Sequence, residues 1–211
     1  MRNAAPLGSN NAWRLAPRPL AESDNRELFD CGRDSLNTWF RRHAWANQVS
    51  GASRVTVITD VASGRIVGYV TLSAAQIECA FLPKPQQRNR PNPLPVTLLG
   101  QLAVDRDFQG QGHATSLLLF ALKTAMSAVQ IIGSIGITHP LDDSVRAFYA
   151  RWGFQDLPFD PRRAMMVRHK AMLAIVREEE ICRRLMSAPG VGPLVAITFK
   201  TAIDDPARIR K

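Results

Sequence analysis

With 211 residues, the chain suits one core-forming domain plus a small appendage and leaves no room for a second full domain. Lys and Arg number 27 against 18 Asp and Glu, a formal charge of +9, and arginine outnumbers lysine 22 to 5; guanidinium groups pair with phosphates bidentately, so the surplus fits a nucleic-acid partner, and, scattered without long runs, it also fits an ordinary basic surface. Cys31, Cys79 and Cys182 lie far apart with no metal-ligand spacing, no basic-then-apolar leader opens the chain, and the most apolar window, 114–132, is broken by Lys123, so we expect a cytoplasmic protein with reduced thiols, no metal and no membrane span.

Residues 1–12 read as a loose polar arm, and Trp13, Leu15, Pro17 and Pro19 as a candidate edge strand. Asp34 or Ser35 can cap a helix whose apolar stripe is Leu36, Trp39, Phe40, His43, Ala44 and Asn47, with Arg33, Arg41 and Arg42 pointing elsewhere. His43 on that stripe is expected to be packed or hydrogen-bonded. Strands follow over 54–59 and 65–77, joined by the turn Ala62-Ser63-Gly64 as a hairpin. Residues 79–95, with five prolines, are expected to be an extended exposed loop presenting Lys84, Arg88 and Arg90.

Val96, Leu98, Leu102 and Val104 alternate with polar residues as a strand that ends at Asp105. After a polar turn come Gln109, Gly110, Gln111, Gly112, His113, Ala114 and Thr115, and then Leu117, Leu118, Ala121, Leu122, Ala125 and Val129 at helical spacing. A helix therefore opens at the glycines, where unpaired N–H groups and the positive end of the macrodipole make a cradle for an anion such as a pyrophosphate. A strand over 131–138 should lie parallel to the first across this helix. Asp142 or Asp143 caps the next helix, with Val145, Phe148, Tyr149 and Trp152 inward and Gly153 as its stop, and a last strand spans 164–169.

The spacing Gln109-x-x-Gly112-x-Ala114 resembles the acyl-CoA pyrophosphate loop of the GNAT acetyltransferases, as do the preceding LAVD and the downstream FYARWGF. More closely, FDCGRDSLNTWFRRHAWANQVSGASRVTVI, IVGYVTLS and NPLPVTLLGQLAVDRDFQGQGHATSLL resemble the GNAT toxins of bacterial type II toxin–antitoxin pairs, over about 28–170. The resemblance implies an α/β fold with a splayed mixed β-sheet flanked by helices, acetyl-CoA as co-substrate, and N-acetylation of the amino acid on an aminoacyl-tRNA. It implies as partners that tRNA and a small antitoxin, often of ribbon-helix-helix type, and allows a homodimer. By the same resemblance Tyr149 is the acid that protonates the departing thiolate. Cofactor contacts fall to Leu102, Ala103, Val104, Gln109, Gly110, Gln111, Gly112, His113, Ala114 and Thr115. Contacts to tRNA fall to Lys84, Arg88, Arg90, Arg41 and Arg42.

A phenol with a reference pKa of about 10 is protonated at neutrality and can donate. The amides along Leu102 to Val104 can hold the pantetheine and thioester oxygen if that strand has lost a neighbour. Asp105 reads as a turn former or a base. Gln101 stands where many of these toxins carry arginine, and His113-Ala114 where Leu-Gly is commoner. The alternatives are a GNAT enzyme acting on a small amine or protein, and a non-catalytic GNAT body with a nucleic-acid-binding tail. That tail, 171–211, reads as helix, PGVGP hairpin, helix, and is similar to the C-terminal domain of insertion-sequence transposases with a RuvC-like catalytic domain. It reads as a remnant without transposase chemistry, and its 7 Lys and Arg against 5 Asp and Glu leave most of the basic surplus in 1–170.

Overall fold

The computed structural model describes residues 17–132 and 135–175. One seven-stranded mixed sheet forms the centre. Its strands are β1 (Arg18–Pro19), β2 (Arg54–Thr59), β3 (Ile66–Ile77), β4 (Leu94–Val104), β5 (Ile135–Thr138), β6 (Gln155–Asp156) and β7 (Met165–Val167), in the order β1-β2-β3-β4-β5-β7-β6. The helices are α1 (Asp34–Ser50), α2 (Lys84–Gln87), α3 (His113–Ile132) and α4 (Asp143–Arg151), and residues 169–175 begin another.

Alternation along the strands sorts the core onto two faces. Val55, Val57 and Tyr69 point to α1 and bury Phe29, Leu36, Phe40 and Ala44 with them. Phe40 stacks on Tyr69 at 4.2 Å between ring centroids, and Phe29 meets both edge-on, an arrangement that adds to plain burial. Val67 and Val70 point the other way, onto Leu117, Leu118, Ala121 and Leu122 of α3 and Tyr149 of α4. A third cluster, Ile77, Leu82, Leu94, Val96, Ile137, Leu157, Ala164 and Met166, fills the end of the sheet away from α1.

The hairpin β2–β3, the strand ending at Asp105, the helix starting at His113 and the parallel β4–β5 pairing agree with the sequence reading. Several expectations are corrected. The 79–95 stretch is not a plain extended loop: it holds a 3-10 turn (Cys79–Phe81), α2 and the start of β4. Leu82 plugs it into the core, and the Cys79 amide donates to Asn92 Oδ1 at 3.0 Å. Pro95 is tolerated in β4 because β5 joins only at Val96, so its missing N–H lies where that strand has just one neighbour. The helix α3 continues through Ile132, so the following strand begins at Ile135 rather than 131. The last strand shortens to Met165–Val167 and gains a small partner, β6, too short to leave a period in the sequence.

At the start of α1 the cap position is Arg33, without a side-chain cap bond, and Asp34 lies inside the first turn, where its charge suits the helix dipole. The preceding loop is tied instead by Asn37, which donates to Asp30 Oδ1 at 2.7 Å and accepts from the Cys31 amide at 2.9 Å. His43 is exposed, contrary to the packed or bonded histidine expected. In α4 Asp142 is the cap, accepting from the Val145 amide at 2.9 Å. Met172, past the expected boundary at 170/171, is fully buried against the α3 face, and Ala171 and Ile175 pack beside it. Trp13 and Leu15, the residue 1–12 arm, Cys182 and the hairpin tail beyond 175 lie outside the described residues.

Candidate active site

The sheet splits between β4 and β5. Their parallel pairing runs from Val96–Ile135 to Leu99–Thr138 and stops, because His139-Pro140 turns the chain into α4 while β4 continues five residues further. At the same point the β3–β4 register shifts between Val70 and Leu72, placing Gly100 and Gln101 opposite Thr71, one extra residue on β4. The bulge leaves no room for a side chain at Gly100, whose Cβ would stand 2.9 Å from Thr71 Oγ1; that hydroxyl accepts from the Gln101 amide at 2.9 Å. Gln101 Oε1 in turn accepts from the Tyr69 hydroxyl at 2.9 Å.

A cleft of about 530 Å³ opens where the strands part. Leu102, Ala103, Val104, Gln109, Ala114 and Tyr149, all marked in the sequence, line it, and along 100–104 the β4 edge that β5 has left faces it. Tyr149 is buried at its base and hydrogen-bonds the Thr138 side chain; burial pushes its phenol up to about 12, with the Thr138 bond pulling the other way, so it stays protonated through the physiological range.

Beside the cleft the chain passes through a 3-10 turn (Arg106–Phe108) into Gly110 and Gly112, at φ +74° and +86°, before α3 begins. Glycine suits these left-handed positions, and a Cβ at Gly110 would meet open space. The first turn of α3 leaves its amides without intrahelical partners, so this rim is a cradle of N–H groups at the positive end of a 20-residue helix. Gln109 braces the turn, donating to Val104 O at 3.0 Å and Cys31 O at 3.2 Å. Asp105 belongs to this brace and does not line the cleft: its buried carboxylate accepts from the Asp30 amide at 3.0 Å and the Asp107 amide at 3.1 Å, with Arg65 at 3.4 Å. The choice between turn former and base therefore falls to the turn former.

Gly110, Gln111, Gly112 and His113 surround the cradle without lining the cleft itself. The His113 side chain turns inward, buried edge-on to Phe108, and desolvation holds its pKa below the ordinary value. Thr115 opens onto a separate depression with Phe148 and Trp152. Of the basic residues, Arg41 is corrected: it is partly buried and its guanidinium donates to Phe29 O at 2.5 Å, committing it to the fold. Arg42, Lys84, Arg88 and Arg90 are exposed, and among the described residues none of them forms an ion pair.

The cleft also recruits residues that no motif marked: Cys31, Arg33 and Leu36 from the start of α1, and Thr138, His139 and Leu141 from the β5–α4 connection. Arg33 reaches Asp142 at 2.6 Å, joining the start of α1 to the cap of α4 at the rim. Among the described residues no group of His, Cys, Asp and Glu could hold a metal ion, and no helix is long and apolar enough to cross a membrane.

A sheet split after a β-bulge, an N–H cradle at the neighbouring helix start and a buried tyrosine at the fork together define an acyl-CoA-dependent acyltransferase fold. The chain belongs to the acetyltransferase (GNAT) family, whose profile matches residues 17–154. It is 38% identical over 161 residues to the tRNA-acetylating toxin of Mycobacterium tuberculosis, covering 76% of this chain and 96% of that protein. Among solved structures it resembles AtaT complexed with acetyl-methionyl-tRNAfMet (TM-score 0.70, 28% identity, 76% of this chain and 98% of that one). It also resembles AtaTR bound with acetyl-CoA (TM-score 0.67, 28% identity, 76% and 97%).

Proposed function

We propose that this protein is an acetyl-CoA-dependent N-acetyltransferase that acetylates the amino group of an aminoacyl-tRNA and so acts as a translation-blocking toxin, restrained by an antitoxin partner. The observation that carries the reading is the fork itself: a bare β4 edge with Tyr149 at its base, in a chain 38% identical to a tRNA-acetylating toxin. The residues fit acetyl-CoA, which supplies an activated acetyl thioester. The amides of Gly110 to Ala114 receive the pyrophosphate at the helix start, and the free edge of Leu102, Ala103 and Val104 receives the pantetheine and polarises the thioester oxygen. Tyr149 gives its proton to the departing thiolate. Its raised pKa does not prevent this, because the thiolate forms in the same apolar cleft, where burial also makes it more basic.

The acceptor comes from the other end of β4. From Gly100 back to Leu94 is six residues of strand, roughly 20 Å at about 3.3 Å each, and there stand Lys84, Arg88 and Arg90. Cations at that distance, without an ion pair among the described residues, suit the phosphates of an RNA whose 3′ end reaches the fork, and Arg42 extends the basic surface on α1. The antitoxin as a small ribbon-helix-helix protein, a homodimeric toxin, a cytoplasmic location and a transposase-derived tail beyond 175 are parts of the same proposal. The test is to incubate the protein with labelled acetyl-CoA and charged bulk tRNA. Label on the aminoacyl ester is the expected result; label confined to protein or polyamine overturns the substrate assignment.

A further inference from the structure

Tyr149 can supply a proton, but the acceptor amine must also lose one. One residue beyond its partner Thr138 stands His139, in the lining of the cleft. Ile137, two residues before it, packs with Leu157 and Ala164, which bracket the connection from β6 to β7, and Asp160 lies in that connection. His139 Nε2 is buried, has no hydrogen-bond partner among the described residues, and lies 3.8 Å from Asp160 Oδ2. Asp160 is buried and held in place, its carboxylate accepting from the Ala164 amide at 2.9 Å and the Arg162 amide at 3.3 Å. The imidazole side chain is nonetheless 27% exposed, and Nδ1 is not among the buried unpaired atoms, so one nitrogen faces a fixed carboxylate and the other is open to a proton.

We propose that His139, oriented by Asp160, accepts the proton released by the attacking amine while Tyr149 protonates the departing thiolate. The inference rests on the aminoacyl-tRNA reading. As the N–C bond forms and the C–S bond breaks, the amine's proton passes to His139 Nδ1 and the phenolic proton to sulfur, giving an amide and a free thiol. The imidazolium and phenolate left behind are restored by one proton passed through water. The 3.8 Å separation exceeds a direct hydrogen bond, and such contacts often tighten once substrate is bound. Asp160 is a positioning residue: it holds the Nε2–H tautomer and steadies the imidazolium, as a carboxylate behind an imidazole does. Burial, the largest influence, and the Arg162 guanidinium hold the His139 pKa below its ordinary value while Asp160 opposes them, so at neutral pH the ring is unprotonated and able to accept.

The test compares wild type, His139→Gln and Asp160→Asn as full chains, acetylating charged tRNA at saturating acetyl-CoA between about pH 5 and 8. His139→Gln is expected to lower kcat about a hundredfold or more, with acetyl-CoA affinity retained. With rates referred to the neutral fraction of the amine, whose own pKa is about 7.7–8.0, the remaining wild-type acid limb reports His139, and in His139→Gln that limb should vanish. Asp160→Asn removes the group that raises the histidine pKa, so its acid limb should move to lower pH as the plateau drops, a signature that loss of packing does not produce. Should His139→Gln not fold, Asp160→Asn still decides. A folded His139→Gln with the wild-type rate and limb, or an Asp160→Asn profile with its limb unmoved, overturns this inference alone. A wild type that leaves charged tRNA unlabelled overturns it together with the substrate reading.

Discussion

The two ends of the cleft are built in different ways. The proposed cofactor end is one continuous run, from the β4 bulge at Gly100 through the turn at 105–112 into α3, and the groups it offers are mostly backbone amides. The proposed acceptor end is assembled from separate places: the start of α1, the connection after β5, Asp160 between β6 and β7, and the cationic segment before β4. Backbone chemistry on a contiguous run leaves a spacing that can be read, because glycine and small residues must recur at fixed offsets. Side-chain chemistry gathered by folding leaves none.

That contrast can be broken most decisively at the cradle. Gly112→Glu places a carboxylate against the pyrophosphate and puts a non-glycine residue at φ +86°, a strain of about 1–2 kcal/mol before any repulsion. Acetyl-CoA binding by calorimetry should be lost while charged-tRNA binding in a filter assay persists; joint loss would mean the ends are not separable. Next in size is Tyr149→Phe, which keeps the ring packed between Phe148 and Phe154 and removes the hydroxyl bonded to Thr138. Turnover on charged tRNA should fall about a hundredfold or more with acetyl-CoA affinity and Tm nearly unchanged, and near-normal turnover would return the tyrosine to a packing role.

A smaller effect should follow from replacing Lys84, Arg88 and Arg90 together by alanine. Binding of tRNA should weaken, and the slope of log affinity against log salt should shrink by roughly 0.7 per lost phosphate contact, with acetyl-CoA affinity untouched. An unchanged slope would remove this segment from the acceptor end. The smallest functional effect is expected at Met172→Ala, which belongs to neither end. Truncating a fully buried methionine costs about 2–5 kcal/mol of stability, so Tm should drop by several degrees while both affinities hold at low temperature.

Much of the fold could be read from the chain because the periods were clean. Val55 and Val57 alternate across β2, and Leu117, Leu118, Ala121 and Leu122 recur at helical spacing along α3. Boundaries blurred where a different force decided them. Ile131 and Ile132 suit a strand, yet they extend α3. Proline at 95 argues against a central strand, yet β4 is paired on only one side there. Gln109, Ala114 and Tyr149, marked by the family resemblance that their spacing and FYARWGF carry, do line the cleft, whereas Arg41, a surface-type residue, is taken up by a buried carbonyl at Phe29. His139 carried no mark: its meaning depends on Asp160, 21 positions later.

The ion pair between Arg33 and Asp142 joins two helix starts that are 109 residues apart in sequence, at the rim of the fork. Arg33 is exposed and Asp142 partly so, so salt screens their attraction and pairing strips little hydration from either. A fastening of that kind holds weakly and releases often. Its hold on the two helix starts weakens as ionic strength rises. Hydrogen bonds from Ser144 and the Val145 amide, with Arg33 adding its charge, keep the Asp142 carboxyl below its ordinary pKa. The fastening therefore survives mild acid, and comes undone only as pH falls through that lowered value.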